Sequence, residues 1–245
     1  MFIVGFPRSG CTWLSHMVAY LINARFDEYE RVYSQDIETL QLKEWPKRKN
    51  LKHESLQHIL GKAIKTHVYS VALKTTRGDY IVYLVRNGMD VLWAFYRRMI
   101  GDNRIDPKAT PFVAFVRHRS REWNRHVCEW LRDDRVQVVI HYEHLLDNLW
   151  RTINNLRVDI ESFAMAINPG DKDVVISERV VDEIAEKYTF KAITGRRAGQ
   201  EKHGSYFRKG IAGDGVAAFA KDDAATEVFW HCCREGMEKL GYKTP

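Results

Sequence analysis

Residues 5–12 read Gly-Phe-Pro-Arg-Ser-Gly-Cys-Thr and follow an apolar run. The two glycines have the spacing of the pattern G-x-x-x-x-G-K-[ST], which joins a buried strand to a helix and binds phosphates with backbone N–H groups. Cys11 stands where that pattern has lysine, and the nearest cation is Arg8, inside the loop. The stretch therefore predicts a strand, an anion-binding turn and a helix, without the lysine of a nucleoside-triphosphate site. An ordinary glycine turn is the alternative for the loop alone.

Apolar runs and helical patterns alternate along the rest of the chain. The runs predict strands at Phe2–Phe6, Ala63–Lys65, Tyr80–Val85 and Val136–Ile140. The helical patterns cover Cys11–Ala24, Pro111–Arg132, Leu145–Ile167, Asp173–Lys187 and Asp222–Leu240, and a further helix is expected after Arg86. Such alternation is typical of a mostly parallel sheet covered on both faces. We expect an α/β, P-loop-like fold, with one domain over residues 1–245.

The composition favours an anionic ligand and argues against several other classes of partner. The 245 residues carry a formal net charge of +6, with the charges dispersed, so nucleic acid is not an expected partner. The four cysteines have no metal-ligand spacing, and no apolar run approaches the roughly 18 residues that span a bilayer. We expect a cytoplasmic protein with no metal, in which Lys43–His53 and Thr194–Gly204 are loops.

Ligands of such folds bind beyond the carboxyl ends of the strands. The second predicted strand ends in Lys65-Thr-His67, which places an ammonium and an imidazole on one face. The imidazole can take a proton from a hydroxyl, and the ammonium can stabilise charge on a departing oxygen. With ten histidines in the chain, a surface or core role is the alternative for His67.

Two further basic segments are candidates for a second anion subsite. The third predicted strand runs into Arg86, whose guanidinium suits either a phosphate or an ion pair with Asp90. Residues 207–214 read Phe-Arg-Lys-Gly-Ile-Ala-Gly-Asp, which is either an anion-binding loop or a solvated one.

Taken in order, five segments resemble the sulfotransferases that use 3′-phosphoadenosine 5′-phosphosulfate (PAPS). They are F-P-R-S-G-C-T-W at 6–13, K-T-H at 65–67, Y-L-V-R-N-G-M-D-V at 83–91, V-V-I-H-Y-E at 138–143 and F-R-K-G-I-A-G-D at 207–214. The last string is similar to the soluble, cytosolic branch that acts on small molecules. The resemblance spans nearly the whole chain.

The resemblance implies a donor site and a reaction. The implied 5′-phosphosulfate site is the first loop, formed by Arg8, Ser9, Gly10, Cys11 and Thr12. The implied 3′-phosphate site consists of Arg86, Arg208, Lys209 and Gly210, and the implied adenine contacts are Trp13, Tyr142, Thr189 and Phe190. His67 is the implied base, while Arg8 and Lys65 stabilise charge during transfer to a hydroxyl, or an amine, of a small-molecule acceptor. Adenosine 3′,5′-bisphosphate (PAP) is the implied product, and fixed cations replace a metal.

Some positions depart from the family pattern. Ala94 replaces a serine that gives a hydroxyl to the 3′-phosphate in the family. Either another group compensates, with Arg97 and Arg98 as candidates, or the affinity for the donor is lower. Gly215 replaces a frequent tryptophan, and the dimer motif of the animal cytosolic enzymes is missing near Ala217–Glu227. We therefore expect no dimer of that type. Because few residues precede the loop, we also expect an acceptor pocket that is either more open or built from other segments.

Two other functions fit parts of the sequence. A P-loop kinase would share the first loop and would need magnesium and ATP, and a non-catalytic module for PAP or RNA ends would not need His67. The acceptor is not determined by the sequence. Aromatic residues near the site suit a hydrophobic or phenolic alcohol or belong to the core, namely Trp13, Tyr69, Trp93, Phe95 and Tyr96.

Overall fold

The structure is a computed structural model, and it describes residues 1–24, 26–28, 56–76, 78–171, 174–202, 205 and 207–243. The predicted loop Lys43–His53 lies outside the described residues. Within them, no helix combines the length and the apolar character needed to cross a bilayer.

One parallel sheet organises the described residues. Its strands are β1 (Phe2–Val4), β2 (Phe26–Glu28), β3 (Ala63–Thr66), β4 (Ile81–Val85) and β5 (Val136–His141). Their order across the sheet is β2-β3-β1-β4-β5, and every neighbouring pair is parallel. The α/β prediction is confirmed, and the four predicted strands are present with slightly different ends.

Helices cover both faces of the sheet. In chain order they are α1 (Cys11–Leu21), α2 (Gln57–Leu60), α3 (Gly88–Gly101), α4 (Phe112–Leu131), α5 (Tyr142–Asp147), α6 (Leu149–Ile167), α7 (Glu178–Lys187), α8 (Phe190–Thr194), α9 (Asp214–Phe219) and α10 (Asp223–Lys239). A 3-10 turn, Ser70–Ala72, follows β3. Helices α1, α6 and α7 contribute to the core on one face, and α3, α4 and α10 to the core on the other.

The alternation of side chains along the strands explains why the sheet has two cores. In β4, Val82 and Leu84 pack on the face covered by α1, whereas Ile81, Tyr83 and Val85 pack on the face covered by α4. All five residues are buried, as expected for a central parallel strand.

Two predicted helix boundaries were wrong, and one strand was missed. The predicted helix Leu145–Ile167 is two helices, because Asn148 leaves helical geometry and its side chain accepts a hydrogen bond from Arg151 N, which caps α6. The helix predicted from Asp173 begins at Glu178, after the capping residue Ser177. The short edge strand Phe26–Glu28 was missed, since three residues are too few for a periodic signal.

Candidate functional site

The first loop connects β1 to α1 and positions backbone N–H groups at a helix start. Gly10 has φ 104° and precedes Cys11, the first residue of α1. The first amides of a helix have no acceptor within the helix, so those of α1 are available for an anion. The amide of Ser9 instead donates to Phe6 O at 3.1 Å, so this N–H group is not available to an anion.

Gly10 is required by what lies beside the loop. A Cβ built at Gly10 would lie 2.7 Å from the ring of Tyr142, and the positive φ adds strain for any other residue. Gly10 of the first loop and Tyr142 therefore lie side by side.

Cys11, at the position of the missing lysine, faces the core. Its side chain is 2% exposed, and its Sγ lies 2.6 Å from where a Cβ on Gly5 would be. Burial raises the pKa of the Cys11 thiol to about 12, so it stays protonated. The loop therefore has no room at this position for the ammonium of a nucleoside-triphosphate site.

A cation reaches the loop from the neighbouring strand instead. Lys65 on β3 is 5% exposed, and its Nζ donates to Thr12 Oγ1 at 3.3 Å. His16 on α1 lies close enough for burial, and then the charge of Lys65, to lower its pKa to about 4. His16 is thus neutral, and Lys65 is the positive group beside the loop.

His67 is hydrogen-bonded to the first residue of the loop. Its Nδ1 lies 2.6 Å from Gly5 O. Because a carbonyl oxygen only accepts, Nδ1 must carry the proton in this contact, and in neutral His67 the lone pair is then on Nε2. The contact fixes both the ring orientation and the tautomer that a general base needs.

A second histidine, His126 on α4, lies in the core near His67. Its Nδ1 is 3.0 Å from the hydroxyl of Tyr83. Burial, followed by the charge of His67, lowers the pKa of His126 to about 3, so it remains neutral. His126 was not among the predicted site residues, although its place between Trp123 and Trp130 on the buried face of α4 indicates a core histidine.

Arg86 connects the first loop to the segment before α9. Its Nη1 donates to Arg8 O at 3.4 Å and its Nη2 to Ile211 O at 3.2 Å. The guanidinium also lies 4.4 Å from the ring centre of Tyr142 and 3.5 Å from Asp90. The ion pair with Asp90 is present. The guanidinium also lies between Arg8 and Ile211, which belong to the two predicted anion subsites.

Asp90 holds the segment before α9 against the start of α3. Its two carboxylate oxygens accept hydrogen bonds from Gly213 N at 2.7 Å and Gly215 N at 2.6 Å. A Cβ at Gly215 would lie 2.3 Å from Met89 O. This close approach of two backbones explains why a tryptophan does not fit at position 215.

The predicted 3′-phosphate cations are gathered but already paired with carboxylates. Arg208 donates to Glu201 at 2.9 Å and to Asp214, and Lys209 donates to Asp214 as well. Arg97, predicted to compensate for Ala94, lies 3.5 Å from Glu201. Arg98 instead pairs with Asp102 at 2.8 Å. Of the two candidates, Arg97 therefore lies within the cluster.

The predicted adenine contacts are divided between two places. Trp13 is 6% exposed, donates from Nε1 to Tyr188 O at 2.8 Å and packs against Tyr142. Phe190 lies directly on Gly210, where a Cβ would be 2.2 Å from the ring. The side chain of Thr189 accepts a hydrogen bond from Ala192 N and caps α8.

Most of the aromatic residues weighed for the acceptor belong to the core. Phe95 and Tyr96 are buried and pack with Phe115. Tyr69 is partly exposed, follows His67 by two residues and has the guanidinium of Arg125 4.8 Å from its ring centre. Tyr69 is therefore the aromatic candidate next to the base. In the part of the chain described, no group of three His, Cys, Asp or Glu residues is arranged to hold a metal.

Comparisons with known proteins identify the class. The model of the Sulfotransferase domain family matches residues 1–241. The chain therefore belongs to this family and is a sulfotransferase by class, as the motifs implied. Comparison with curated proteins gives no match.

Two solved structures are similar over most of the chain. Mouse sulfotransferase SULT7A1, complexed with PAP, is 21% identical, with 98% of this chain and 88% of that chain covered at a TM-score of 0.64. Retinol dehydratase, in complex with androsterone and inactive cofactor PAP, is 17% identical, with coverage of 100% and 82% and a TM-score of 0.63. At these identities the likeness supports the sulfotransferase fold alone.

Proposed function

We propose that this protein transfers the sulfuryl group of PAPS to a hydroxyl, or an amine, of a small-molecule acceptor. The observation that carries the proposal is the contact between His67 Nδ1 and Gly5 O, which joins a base of fixed tautomer to an anion-binding loop. A non-catalytic phosphate-binding module has no need of this arrangement.

The donor has two anionic groups, and the site has two groups of cations. We place the 5′-phosphosulfate on the first loop, against the amides of α1 and beside Arg8 and Lys65. We place the 3′-phosphate at Arg86, Arg208, Lys209 and Gly210, with Ser9, Trp13, Tyr142, Thr189 and Phe190 as further donor contacts. The hydrogen bond from Arg86 to Arg8 O supports this placement, because it couples the two subsites.

The chemistry follows from the groups at the strand ends. The acceptor O–H gives its proton to His67 Nε2 as its oxygen forms a bond to sulfur. The bond between sulfur and the bridging oxygen breaks, and that oxygen leaves on the 5′-phosphate of PAP. Lys65, Arg8 and the amides at the start of α1 stabilise the growing negative charge on the leaving phosphate.

The acceptor is proposed to lie beside Tyr69, so that an aromatic or apolar hydroxyl compound contacts its ring. We place the reaction in the cytoplasm, since all four cysteines are free thiols, as expected in a reducing compartment.

The test is His67→Ala, with His118→Ala as the matched control. His118 is an exposed histidine on α4, where it contacts Glu122. Transfer from labelled PAPS to a panel of phenols, alcohols and amines is measured in EDTA, and PAP binding is measured by calorimetry. We expect His67→Ala to lower turnover by about 10²- to 10⁴-fold and to change PAP affinity less than threefold. The control should behave as the wild type.

The outcomes separate the rival functions. Unchanged turnover in His67→Ala would rule out the proposed base. PAP binding by the wild type without transfer to any acceptor would favour a binding module. Turnover of ATP that requires magnesium would favour a P-loop kinase, which the buried Cys11 does not support.

A further inference from the structure

Glu201 lies where the cations of the proposed 3′-phosphate site converge. Its carboxylate is 2.9 Å from Arg208, 3.6 Å from Lys209 and 3.5 Å from Arg97. These are three separate cations from α3 and from the segment before α9, and two of them were assigned to the 3′-phosphate. A phosphate needs the same donors that Glu201 now uses.

Two nearby carboxylates, Asp90 and Asp214, accept hydrogen bonds from groups other than these three cations. Asp90 accepts from the backbone of Gly213 and Gly215. Asp214 accepts a hydrogen bond from Trp93 Nε1 at 2.9 Å and is the first residue of α9. Glu201 lies instead in the stretch between α8 and α9, outside any helix or strand. Displacing the Glu201 side chain from the three cations leaves these hydrogen bonds of Asp90 and Asp214 in place.

The net charge of the cluster favours a phosphate that replaces Glu201 over one that binds beside it. Within the described part of the chain, these three cations and the two carboxylates they contact, Glu201 and Asp214, together carry a single positive charge. Without Glu201, two positive charges remain. A phosphate monoester carries about −1.5 to −2, so it matches the cluster once Glu201 has left.

The titration of Glu201 agrees with this geometry. Partial burial by itself would raise the pKa of Glu201, but the hydrogen bond from Arg208 and the nearby charges of Lys209 and Arg97 hold it below its usual value. Glu201 is therefore ionised at neutral pH and competes as a full negative charge.

We propose that Glu201 is a built-in competitor of the donor's 3′-phosphate: it holds Arg97, Arg208 and Lys209 in the free enzyme and is displaced when PAPS or PAP binds. This rests on the function proposed above. An adenine nucleotide without a 3′-phosphate has no group to replace Glu201, so the residue weakens binding of the true donor but leaves that of other nucleotides unchanged. Release of the product is faster for the same reason.

The experiment is calorimetric titration of Glu201→Gln with PAP and, separately, with adenosine 5′-phosphate, at fixed low salt because these contacts are screened. The matched control is Glu235→Gln, which removes a carboxylate on α10 that contacts Arg132 at 2.7 Å and Lys239 at 2.8 Å. Glu201→Ala is measured as a second variant, and thermal unfolding without ligand confirms that each variant is folded.

We expect both Glu201 variants to bind PAP about tenfold more tightly, which corresponds to about 1.4 kcal/mol, with adenosine 5′-phosphate binding changed less than twofold. The control should leave both affinities unchanged. Equal or weaker PAP binding by the Glu201 variants would overturn the competitor role, because Glu201 would then merely position Arg208. Failure of the wild type and all variants to bind PAP would overturn the proposed function together with this inference.

Discussion

Replacing Cys11 with lysine restores the residue of the nucleoside-triphosphate loop and tests why this loop lacks it. The Cys11 side chain is buried against Gly5. It is also close enough to Lys65 for the charge of Lys65 to act on the Cys11 thiol. A lysine at this position would bury an ammonium next to the ammonium of Lys65, and no carboxylate of the described residues acts on position 11 to offset it.

The cost is large on the scale of protein stability. An unpaired buried charge costs several kcal/mol, and the extra methylenes add overpacking of about 1–3 kcal/mol. We expect Cys11→Lys to lower the free energy of unfolding by about 4 kcal/mol or more, which for a chain of this size lowers Tm by about 8 to 16 °C. Cys11→Ser, the control of similar volume, should lose much less.

The loss of stability in Cys11→Lys is expected to become smaller as the pH rises. Burial depresses the pKa of a lysine, so the unfolded chain binds more protons than the folded chain, and the stability of the variant rises with pH. In the wild type, burial raises the Cys11 pKa from about 9 to about 12. Between these values the unfolded chain loses the thiol proton while the folded chain keeps it, so the stability of the wild type falls as the pH rises. The two Tm values should therefore converge between pH 7 and 10.

The assay is thermal unfolding followed by circular dichroism at pH 7 and pH 10, with urea unfolding at pH 7. A variant as stable as the wild type at pH 7 would refute the reasoning, because position 11 would then face solvent or a ligand. Gain of magnesium-dependent ATP binding by the variant would refute it as well.

The remaining predictions concern the 3′-phosphate subsite. Ala94→Ser should tighten PAP binding by tenfold or more, since one hydrogen bond to a charged group contributes roughly 1.5–3 kcal/mol; equal or weaker binding by calorimetry contradicts the placement of this phosphate beside α3. Gly210→Ala should weaken PAP binding about tenfold and destabilise the fold by about 1–3 kcal/mol, because its φ is 64° and its Cβ would meet the ring of Phe190. Gly61→Ala, at φ 65° with no atom within 4 Å of the new Cβ, is the matched control, and a Gly210 variant that binds PAP like this control counts against the contact.

The sheet was predictable because its strands are short, apolar and separated by helices. Residues Ile81–Val85 are buried on both faces of the sheet, and the sequence shows this as an uninterrupted apolar run. Once the strands are parallel, their carboxyl ends lie at one edge, which is why Lys65, His67 and Arg86 were expected together. The interruption between α5 and α6 at Asn148 was not predicted, since asparagine residues also occur in the interior of helices.

The pairings within the site were not predictable, because they depend on tertiary distances. The contact of Lys65 with Thr12 crosses from β3 to the first loop, and that of Asp90 with Gly215 joins α3 to α9. Glu201 is not part of any sequence motif. Its contacts with Arg97 of α3 and with Arg208 of the segment before α9 are seen only in the structure. Sequence patterns identify groups at strand ends, whereas counter-ions from distant loops require the structure.

The central claim is that the first loop holds the 5′-phosphate of a 3′-phosphorylated adenosine donor and transfers its sulfuryl group without a metal. The most direct measurement is transfer of label from PAPS by the wild type, with the same acceptor panel, in EDTA and in magnesium. The account predicts turnover in EDTA at the rate found with magnesium, with release of PAP. Turnover that disappears in EDTA and returns with magnesium would contradict it.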